Sequence, residues 1–512
     1  MIQPEGAIQI LTKRITDAVR NAVSGGGLKA RVLRGGALIG TGSMIEHAVR
    51  FLRNIILTRI IMPEALGVMT IILAINAALE SFTEVGIREA VVQHPEAEKK
   101  SFLNAAWWFA TIRGTVLCGI GLLLAPVLAS FYHISDSRDL LMLSFVAILF
   151  NGAMSTRAFV ALKKMHSVRW VAIMQGAALG GVAITIVLVF VLRDIRAMIY
   201  GYIAEAALRC IISFIVCPLK PGFEFEKSQT KELFRFARGM AGVPLLTFIF
   251  LQADIFVLGR IADKHDLGLY GMAGSLASAP AVFISIFVNA ILMPAFAQIR
   301  DQHARINTAL IKATRSMSLI GFPLAAWFLL FGSGIMSLVY GPAYGAAGAV
   351  LAILFFSTAL RTMASPIPAV YLGIGQPAAN RIFAAIRTVI MVAIIYPAAL
   401  FFGLEGAATA GAIAMVAAWF FQIRQMGKLT KLDLRRYGLS VATGLWGAAV
   451  VGGAGFLIIT FFGSTIITLS ATAGVVAIVS AVGIALTVRD FESPEHADAP
   501  AAIPEQHDTL SR

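Results

Sequence analysis

Long apolar runs follow one another from about residue 35 to residue 488, separated by short polar connections, and several approach or exceed twenty residues with few charges. A run of that length crosses a hydrocarbon core of ~30 Å as a helix, since each residue advances the helix by about 1.5 Å. Lipid offers no water to a free backbone N–H or C=O, so a run of this kind is helical. Only 14% of the 512 residues are charged and 58% are hydrophobic, where a soluble chain carries about 25% charged residues. The 46 glycines suit helices that pack closely in lipid. The reading is an all-α integral membrane protein of about fourteen transmembrane helices. Its spans are placed near 35–58, 66–87, 102–128, 140–160, 170–192, 197–217, 237–259, 268–293, 313–338, 347–371, 382–403, 406–424, 440–462 and 466–488. The turn Gly403-Leu404-Glu405-Gly406 divides a run, 398–412, that would otherwise read as continuous.

The net charge of +14 could suit nucleic acid, but the basic residues form no single stripe. They sit between apolar runs, as topology signals do. With the N-terminus in the cytoplasm, the connections after even-numbered spans hold most of them. Examples are Lys99, Lys100, Lys163, Lys164, Lys220, Lys227, Lys231, Arg300, Arg305, Lys428, Lys431, Arg435 and Arg436. The other connections hold only Arg59, Arg138, Arg193, Arg196, Arg260 and Lys264. This asymmetry predicts an even number of spans with both termini in the cytoplasm. Residues 1–34 lack the apolar core and cleavage site of a signal peptide. Within them, 7–23 reads either as a basic amphipathic helix on the membrane surface or as a basic tail. The 490–512 segment is too polar to bury anything and reads as a disordered cytoplasmic tail.

Cys118, Cys210 and Cys217 lie in apolar runs and make no metal or disulfide pattern. No phosphate-binding Gly-x-x-x-x-Gly-Lys-Ser/Thr loop is present. Gly373-Ile374-Gly375-Gln376-Pro377-Ala378 matches a dinucleotide fingerprint only formally, since it ends a membrane helix with no strand beside it. No cofactor, metal or catalytic group is expected.

The chain contains an internal echo. Arg59-Ile60 is followed by Leu66-Gly67, and Arg260-Ile261 by Leu267-Gly268 at the same spacing. Each copy follows a long apolar helix that begins after a basic-glycine step, Arg34-Gly35 or Arg238-Gly239. The copies lie six spans apart, an even offset that gives them the same orientation. Parallel repeats of this kind build transporter lobes that rock about a central site. The division is a cytoplasmic segment 1–34, an N-lobe 35–217, a linker 218–236, a C-lobe 237–427, two further helices within 437–489 and the tail 490–512. The two lobes are pseudo-symmetric, with six helices each.

The run Arg59-Ile60-Ile61-Met62-Pro63-Glu64-Ala65-Leu66-Gly67 resembles the end of the first helix in the polysaccharide-transporter branch, the Wzx-like oligosaccharide flippases, of the MOP flippase superfamily. Gln252-Ala253-Asp254, Gly259-Arg260 and Leu267-Gly268-Leu269-Tyr270 are similar to its seventh helix and following turn. Tyr340-Gly341-Pro342-Ala343-Tyr344 resembles its Gly-Pro-Glu-Tyr turn, with Ala343 where an acidic residue is usual. Gly403-Leu404-Glu405-Gly406-Ala407-Ala408 resembles its turn into the twelfth helix. The resemblance implies a bacterial inner-membrane protein that moves undecaprenyl-pyrophosphate-linked oligosaccharides for exopolysaccharide, capsule or O-antigen synthesis. Membrane lipids, and a polysaccharide polymerase and co-polymerase, would be its partners. The alternatives are a peptidoglycan lipid-precursor flippase, an ion-coupled multidrug extruder of the same superfamily, and a membrane-embedded glycan polymerase or glycosyltransferase. The last would need outer loops rich in carboxylates, and His133, Asp136 and Asp139 are too few.

Ionisable residues inside the spans are costly, at roughly 2.5–3.5 kcal/mol each at the bilayer centre on the insertion scale. Glu46, Arg50 and Arg53 share one helical face, Glu80 and Glu84 another, and Glu205 lies one turn from Arg209. Arg113, Asp254 and Arg361 lie in further spans. Two readings stand: paired charges that join helices, or the lining of a wet cleft. In the cleft reading Arg50, Arg53, Arg113 and Arg361 meet phosphates, whose oxygens a guanidinium grips two at a time. Glu46, Glu80, Glu84 and Asp254 complete the lining. Arg59, Arg260, Glu205 and Arg209 gate or pair helices. Aligning the repeats places Arg53 opposite Asp254 and predicts that they pair, directly or across water, when the outside is closed. The energy for transport would come from ion gradients, the membrane potential or downstream consumption. Moving two negative charges outward through 100 mV gains roughly 4–5 kcal/mol.

Overall fold

A computed structural model describes residues 28–81, 87–222, 242–287, 302–374, 376–463 and 466–490. The segments 1–27, 223–241 and 491–512, and with them the expected surface helix, most of the linker and the tail, lie outside the described residues. All regular structure among the described residues is helical. The N-lobe contains α1 (Leu28–Ile60), α2 (Pro63–Ser81), α3 (Ile87–Gln93), α4 (Lys100–Phe131), α5 (Arg138–Ser144), α6 (Val146–Gly152), α7 (Arg157–Lys163), α8 (Ser167–Leu192) and α9 (Ile195–Val216). The C-lobe contains α10 (Gly242–Ile261), α11 (Lys264–Phe287), α12 (His303–Tyr340), α13 (Gly348–Ala364), α14 (Pro366–Gly373) and α15 (Pro377–Thr430). Then follow α16 (Leu434–Phe462) and α17 (Ile466–Asp490), which pack on α12.

Nine helices among the described residues are long and apolar enough to cross a membrane, or ten with one bent pair. Large apolar side chains such as Leu123, Val191, Phe401 and Trp446 face outward, more than 70% exposed, as lipid-facing residues do. Several helix boundaries are chemical. The Asp194 carboxylate accepts from the Arg196 N–H at 2.8 Å, and that of Asp433 from the N–H groups of Arg435 and Arg436. Each fills a donor that the first helical turn leaves free. Inside α15, Gly403 has a positive φ of 59° and breaks the helix into two arms. A Cβ on Gly406 would meet the carbonyl oxygen of Ala398 at 2.0 Å, so the arms fold back closely at the turn that the sequence marks.

Two expectations on helix shape need correction. α1 begins at Leu28, ahead of the Arg34-Gly35 step expected to precede it. The 140–160 span is not continuous: Ser135–Gly152 and Arg157–Lys163 meet at a bend of 58°. Polar groups at the bend are met by other helices or their ends. The Ser155 N–H donates to Ser213 Oγ, the Ser155 hydroxyl to the Cys217 carbonyl, and the Thr156 hydroxyl to the Leu103 carbonyl. Those bonds make a break tolerable inside a bundle. In the fourth span of the C-lobe, α13 passes into α14 at Ser365-Pro366 with Ser365 still in the helical region, and Pro342–Tyr371 stays one stretch able to cross a membrane.

Candidate functional site

The lobes meet through α1 and α2 on one side and α10 and α11 on the other, with α2 packed on α10 and α11, and α1 on α11. At the end where each first helix turns into its second, the echoed glycines touch. A Cβ on Gly67 would lie 2.0 Å from the Lys264 carbonyl oxygen, and a Cβ on Gly268 2.0 Å from that of Pro63. Only glycine permits this backbone approach. The echoed arginines then cross to the opposite lobe. Arg59 donates from Nη2 to the Leu338 carbonyl at 2.8 Å, in the last turn of α12. Arg260 lies against His133 and over the Phe131 ring at 5.2 Å, at the end of α4. Lys264 Nζ donates to the Tyr132 carbonyl at 2.7 Å. Cations placed on helix C-termini meet the negative end of the helix dipole. Burial in these contacts, with Arg260 adding repulsion, holds the Lys264 amine below its usual range even though Asp263 pulls the other way. Arg59 and Arg260, expected to gate or to pair helices, each tie their own lobe to the third long helix of the other.

Behind this closure lies a cavity of about 610 Å³ between the lobes. Of the residues expected to line a cleft, Arg53, Glu80, Asp254 and Arg361 do so. Arg50, Glu46 and Arg113 are not in the lining, and Glu84 lies outside the described residues. The reason for Arg50 and Glu46 is visible. Arg50 Nε donates to Glu46 Oε1 at 3.0 Å and Arg50 Nη2 to Glu205 Oε1 at 2.6 Å. Arg209 Nη2 reaches the same Glu205 oxygen at 2.7 Å. Arg209 Nη1 donates to Asn151 Oδ1, and Asn151 Nδ2 to Glu80 Oε1 at 2.9 Å. A continuous chain, Glu46–Arg50–Glu205–Arg209–Asn151–Glu80, therefore runs through α1, α9, α6 and α2. Its charges join helices, as one of the two readings has it, and only its Glu80 end reaches the cavity. Glu205 is 9% exposed and accepts both arginines. Asn151 is the link that sequence reasoning missed, because a single amide in an apolar run carries no signal of its own.

Arg53 and Asp254 make no direct contact. Arg53 donates to the Asn54 side-chain oxygen at 3.1 and 3.3 Å, and Asn54 Nδ2 donates across the interface to Ser275 Oγ at 3.0 Å. The Asp254 carboxylate accepts from the Tyr270 hydroxyl at 2.7 Å and from the Ile255 N–H at 2.9 Å. Both residues line the cavity, on opposite lobes as the echo predicts, but each is satisfied within reach of its own helix. Arg387, which sequence reasoning passed over, sits behind the C-lobe wall. It is 7% exposed, donates from Nη2 to Thr247 Oγ1 at 3.0 Å, and lies over the rings of Phe250 and Phe383. Among the described residues no group of three or more His, Cys, Asp or Glu could hold a metal ion. The cysteines are free thiols, and none of the contacts above involves their sulfur.

A family model described as polysaccharide biosynthesis protein matches residues 56–348. The chain is 22% identical over 343 residues to the lipopolysaccharide biosynthesis protein WzxC of Escherichia coli (strain K12), covering 66% of this chain and 69% of that protein. It is 25% identical over 347 residues to the succinoglycan biosynthesis transport protein ExoT of Rhizobium meliloti (strain 1021), covering 67% and 69%. Its fold is similar to that of the lipid II flippase MurJ in an inward closed conformation, with TM-score 0.74 and 13% identity over 89% of this chain and 99% of that one. An inward-facing multidrug resistance MATE family transporter of the MOP superfamily matches with TM-score 0.59 and 16% identity, over 76% and 96%.

Proposed function

Since the chain belongs to the polysaccharide biosynthesis protein family, we propose that it is a flippase for lipid-linked oligosaccharides, undecaprenyl-pyrophosphate-linked units in particular, that works by alternating access of its two lobes. The observation that carries this reading is the cavity between like-oriented lobes, lined by Arg53, Glu80, Asp254 and Arg361 and closed at one end by the Gly67–Gly268 contact. Sugar hydroxyls taken into lipid lose hydrogen bonds to water at about 1–3 kcal/mol or more per unpaired group. A polar cavity replaces those partners while the lipid tail stays in the bilayer. The relatives' names, a lipopolysaccharide biosynthesis protein and a succinoglycan transport protein, support a polysaccharide precursor as cargo.

In this reading the chain spans the bacterial inner membrane fourteen times with both termini in the cytoplasm. The Arg59 and Arg260 end faces outward, and the structure is the state closed to the outside. A polymerase and co-polymerase receive the cargo there. The test is translocation in proteoliposomes. Lipid-linked oligosaccharide from a polysaccharide-producing strain is placed in both leaflets, and the accessible fraction is read with an impermeant glycosidase. Protein-dependent cleavage of the inner pool supports the proposal. Translocation of lipid II with no movement of the oligosaccharide would instead assign a peptidoglycan-precursor flippase. Failure with both, alongside drug efflux, would assign an extruder.

A further inference from the structure

The contact between Arg260 and His133 fixes the protonation of one partner. A guanidinium donates and never accepts, and it keeps its charge at every pH in which a protein stays folded. Arg260 Nη1 meets His133 Nε2, so that ring nitrogen is the acceptor, the ring proton sits on Nδ1 and the imidazole is neutral. The backbone aims the ring. α4 ends at Phe131, and His133 takes a left-handed conformation with φ 52°. Its own N–H donates to the Ser130 carbonyl at 3.2 Å and the Ile134 N–H to the Ala129 carbonyl at 2.9 Å, which hold the turn. Arg260 also lies over the Phe131 ring at 5.2 Å, and Lys264 Nζ donates to the carbonyl of Tyr132, the residue before His133. Two cations of the C-lobe therefore crowd the end of α4, with an imidazole between the lobes. The other charges of that loop are Asp136, Arg138 and Asp139, and Asp263 precedes Lys264. His265 stands 3.5 Å from the Asp266 carboxylate, and Arg59 and Glu64 belong to the matching turn of the N-lobe. Among the described residues no carboxylate comes within ion-pair distance of His133.

Imidazole is the side chain whose charge ordinarily changes between about pH 5 and 8. Once protonated it carries N–H groups on both nitrogens and accepts nothing. We propose that His133 is a proton-operated latch on the closed end of the cavity. Neutral, it accepts from Arg260 and holds the C-lobe to the end of α4. Protonated, it loses that bond and sets a third positive charge beside Arg260 and Lys264, with no carboxylate in contact to offset it. The closed state therefore excludes a proton that the parted state admits, and acid on the side this end faces shifts the population toward opening there. The proton enters from that aqueous side and returns to it. The latch thus sets how often the cavity opens and carries no proton across the membrane. This inference rests on the alternating-access reading.

The test reads the separation of the lobes at this end. Spin labels are placed at Arg196→Cys in the N-lobe and Ala343→Cys in the C-lobe, both exposed positions, with Cys118, Cys210 and Cys217 replaced by alanine. Their distance is measured on the full chain in nanodiscs by double electron–electron resonance. Going from pH 7.5 to pH 5.5 should raise the longer-distance population at least fivefold. His133→Gln, which stays neutral and still accepts, should keep the short distance at both pH values, and His133→Lys should keep the long one at both. Arg260→Gln should shrink the response to less than twofold, whereas His265→Gln should leave it as it is. A pH response that survives in His133→Gln, or none in the parent protein, overturns the latch. Gly268→Ala is the control for movement. If it lengthens the distance and acid does not, the latch falls and alternating access stands. One unchanging distance in every variant and at both pH values removes alternating access and the latch with it.

Discussion

Replacing Gly268 with alanine sets a methyl group 2.0 Å from the Pro63 carbonyl oxygen and 2.8 Å from its carbon, where ordinary contact begins near 3.4 Å. The obstacle is backbone and cannot rotate away, so α2 and α11 must separate by about 1 Å or more. Overpacking of this kind costs about 1–3 kcal/mol. A state in which these helix ends have already parted does not bear that cost. Gly268→Ala should therefore move the equilibrium toward the state open at this end by roughly 5–150-fold. Ser278 lines the cavity and can report the shift as Ser278→Cys, with Cys118, Cys210 and Cys217 replaced by alanine. Labelling by an impermeant maleimide should become at least fivefold faster from the face bearing Arg59 and Arg260 and slower from the opposite face. Intact cells and inverted vesicles provide the two faces. Gly67→Ala should act the same way. If Gly268→Ala elutes as a folded monodisperse protein and the labelling rates at both faces stay at the parental values, the glycine contact is not the closure and the argument fails.

Glu205→Gln removes the carboxylate shared by Arg50 and Arg209; weighing charged bonds of about 1.5–3 kcal/mol against the neutral ones Gln can still accept, the loss is about 1–4 kcal/mol. A double-mutant cycle with Arg209→Gln, read by thermal unfolding in nanodiscs, should give a coupling above about 0.5 kcal/mol, and additivity would refute the network. Tyr270→Phe removes the hydroxyl donor on Asp254 and should destabilise by about 1–3 kcal/mol, with Asp254→Asn/Tyr270→Phe less unstable than the two losses added. The hydrogen bond from Lys164, helped by its charge and that of Lys163, holds the Glu98 carboxyl below its usual range. A carboxyl lowered on folding stabilises above its unfolded pKa, and that contribution is lost as pH falls through the folded value. Hydrogen exchange in 94–99, the turn between α3 and α4, should thus speed up relative to α4 on going from pH 6 to pH 4, and Glu98→Gln should remove that dependence.

The run lengths made the helices legible, because lipid admits almost no other structure for them, and the echo of Arg59 and Gly67 in Arg260 and Gly268 made the two lobes legible. The two glycines turned out to meet at the lobe interface, and each arginine to reach the opposite lobe. The turn at Gly403 was legible from its glycines and its acid. The bend at 153–156 was not, since it depends on Ser213, Cys217 and Leu103 being close enough to take up polar groups at the break. Charges placed by helical spacing were found correctly where both partners share a helix, as in Glu205 with Arg209. Spacing could not tell which face looks into the cavity, and so Arg50 was expected there with Arg53, although it points into the pairing network. Arg387 was invisible for a related reason: what marks it is the two rings beside it, and one of them, Phe250, is far away in the chain.

The contacts that must break for the lobes to separate are of a different kind from those that hold each lobe together. Across the interface, Arg59 and Lys264 donate to backbone carbonyls and Asn54 donates to the Ser275 hydroxyl. None of these three is an ion pair, and such bonds contribute about 0.5–1.5 kcal/mol each, up to 3 with a charged donor. Within the N-lobe, Glu205 sits between two arginines, and losing one partner of a buried ion pair costs about 3–5 kcal/mol. The cheapest large motion therefore keeps the lobes whole and parts them along α2 and α11. It follows that Arg59→Gln should ease opening several-fold in the Ser278→Cys labelling experiment while leaving the unfolding temperature nearly unchanged. Glu205→Gln should do the reverse, lowering the unfolding temperature without favouring either face. If the two variants exchanged those signatures, the division between rigid lobes and a weak interface would be wrong.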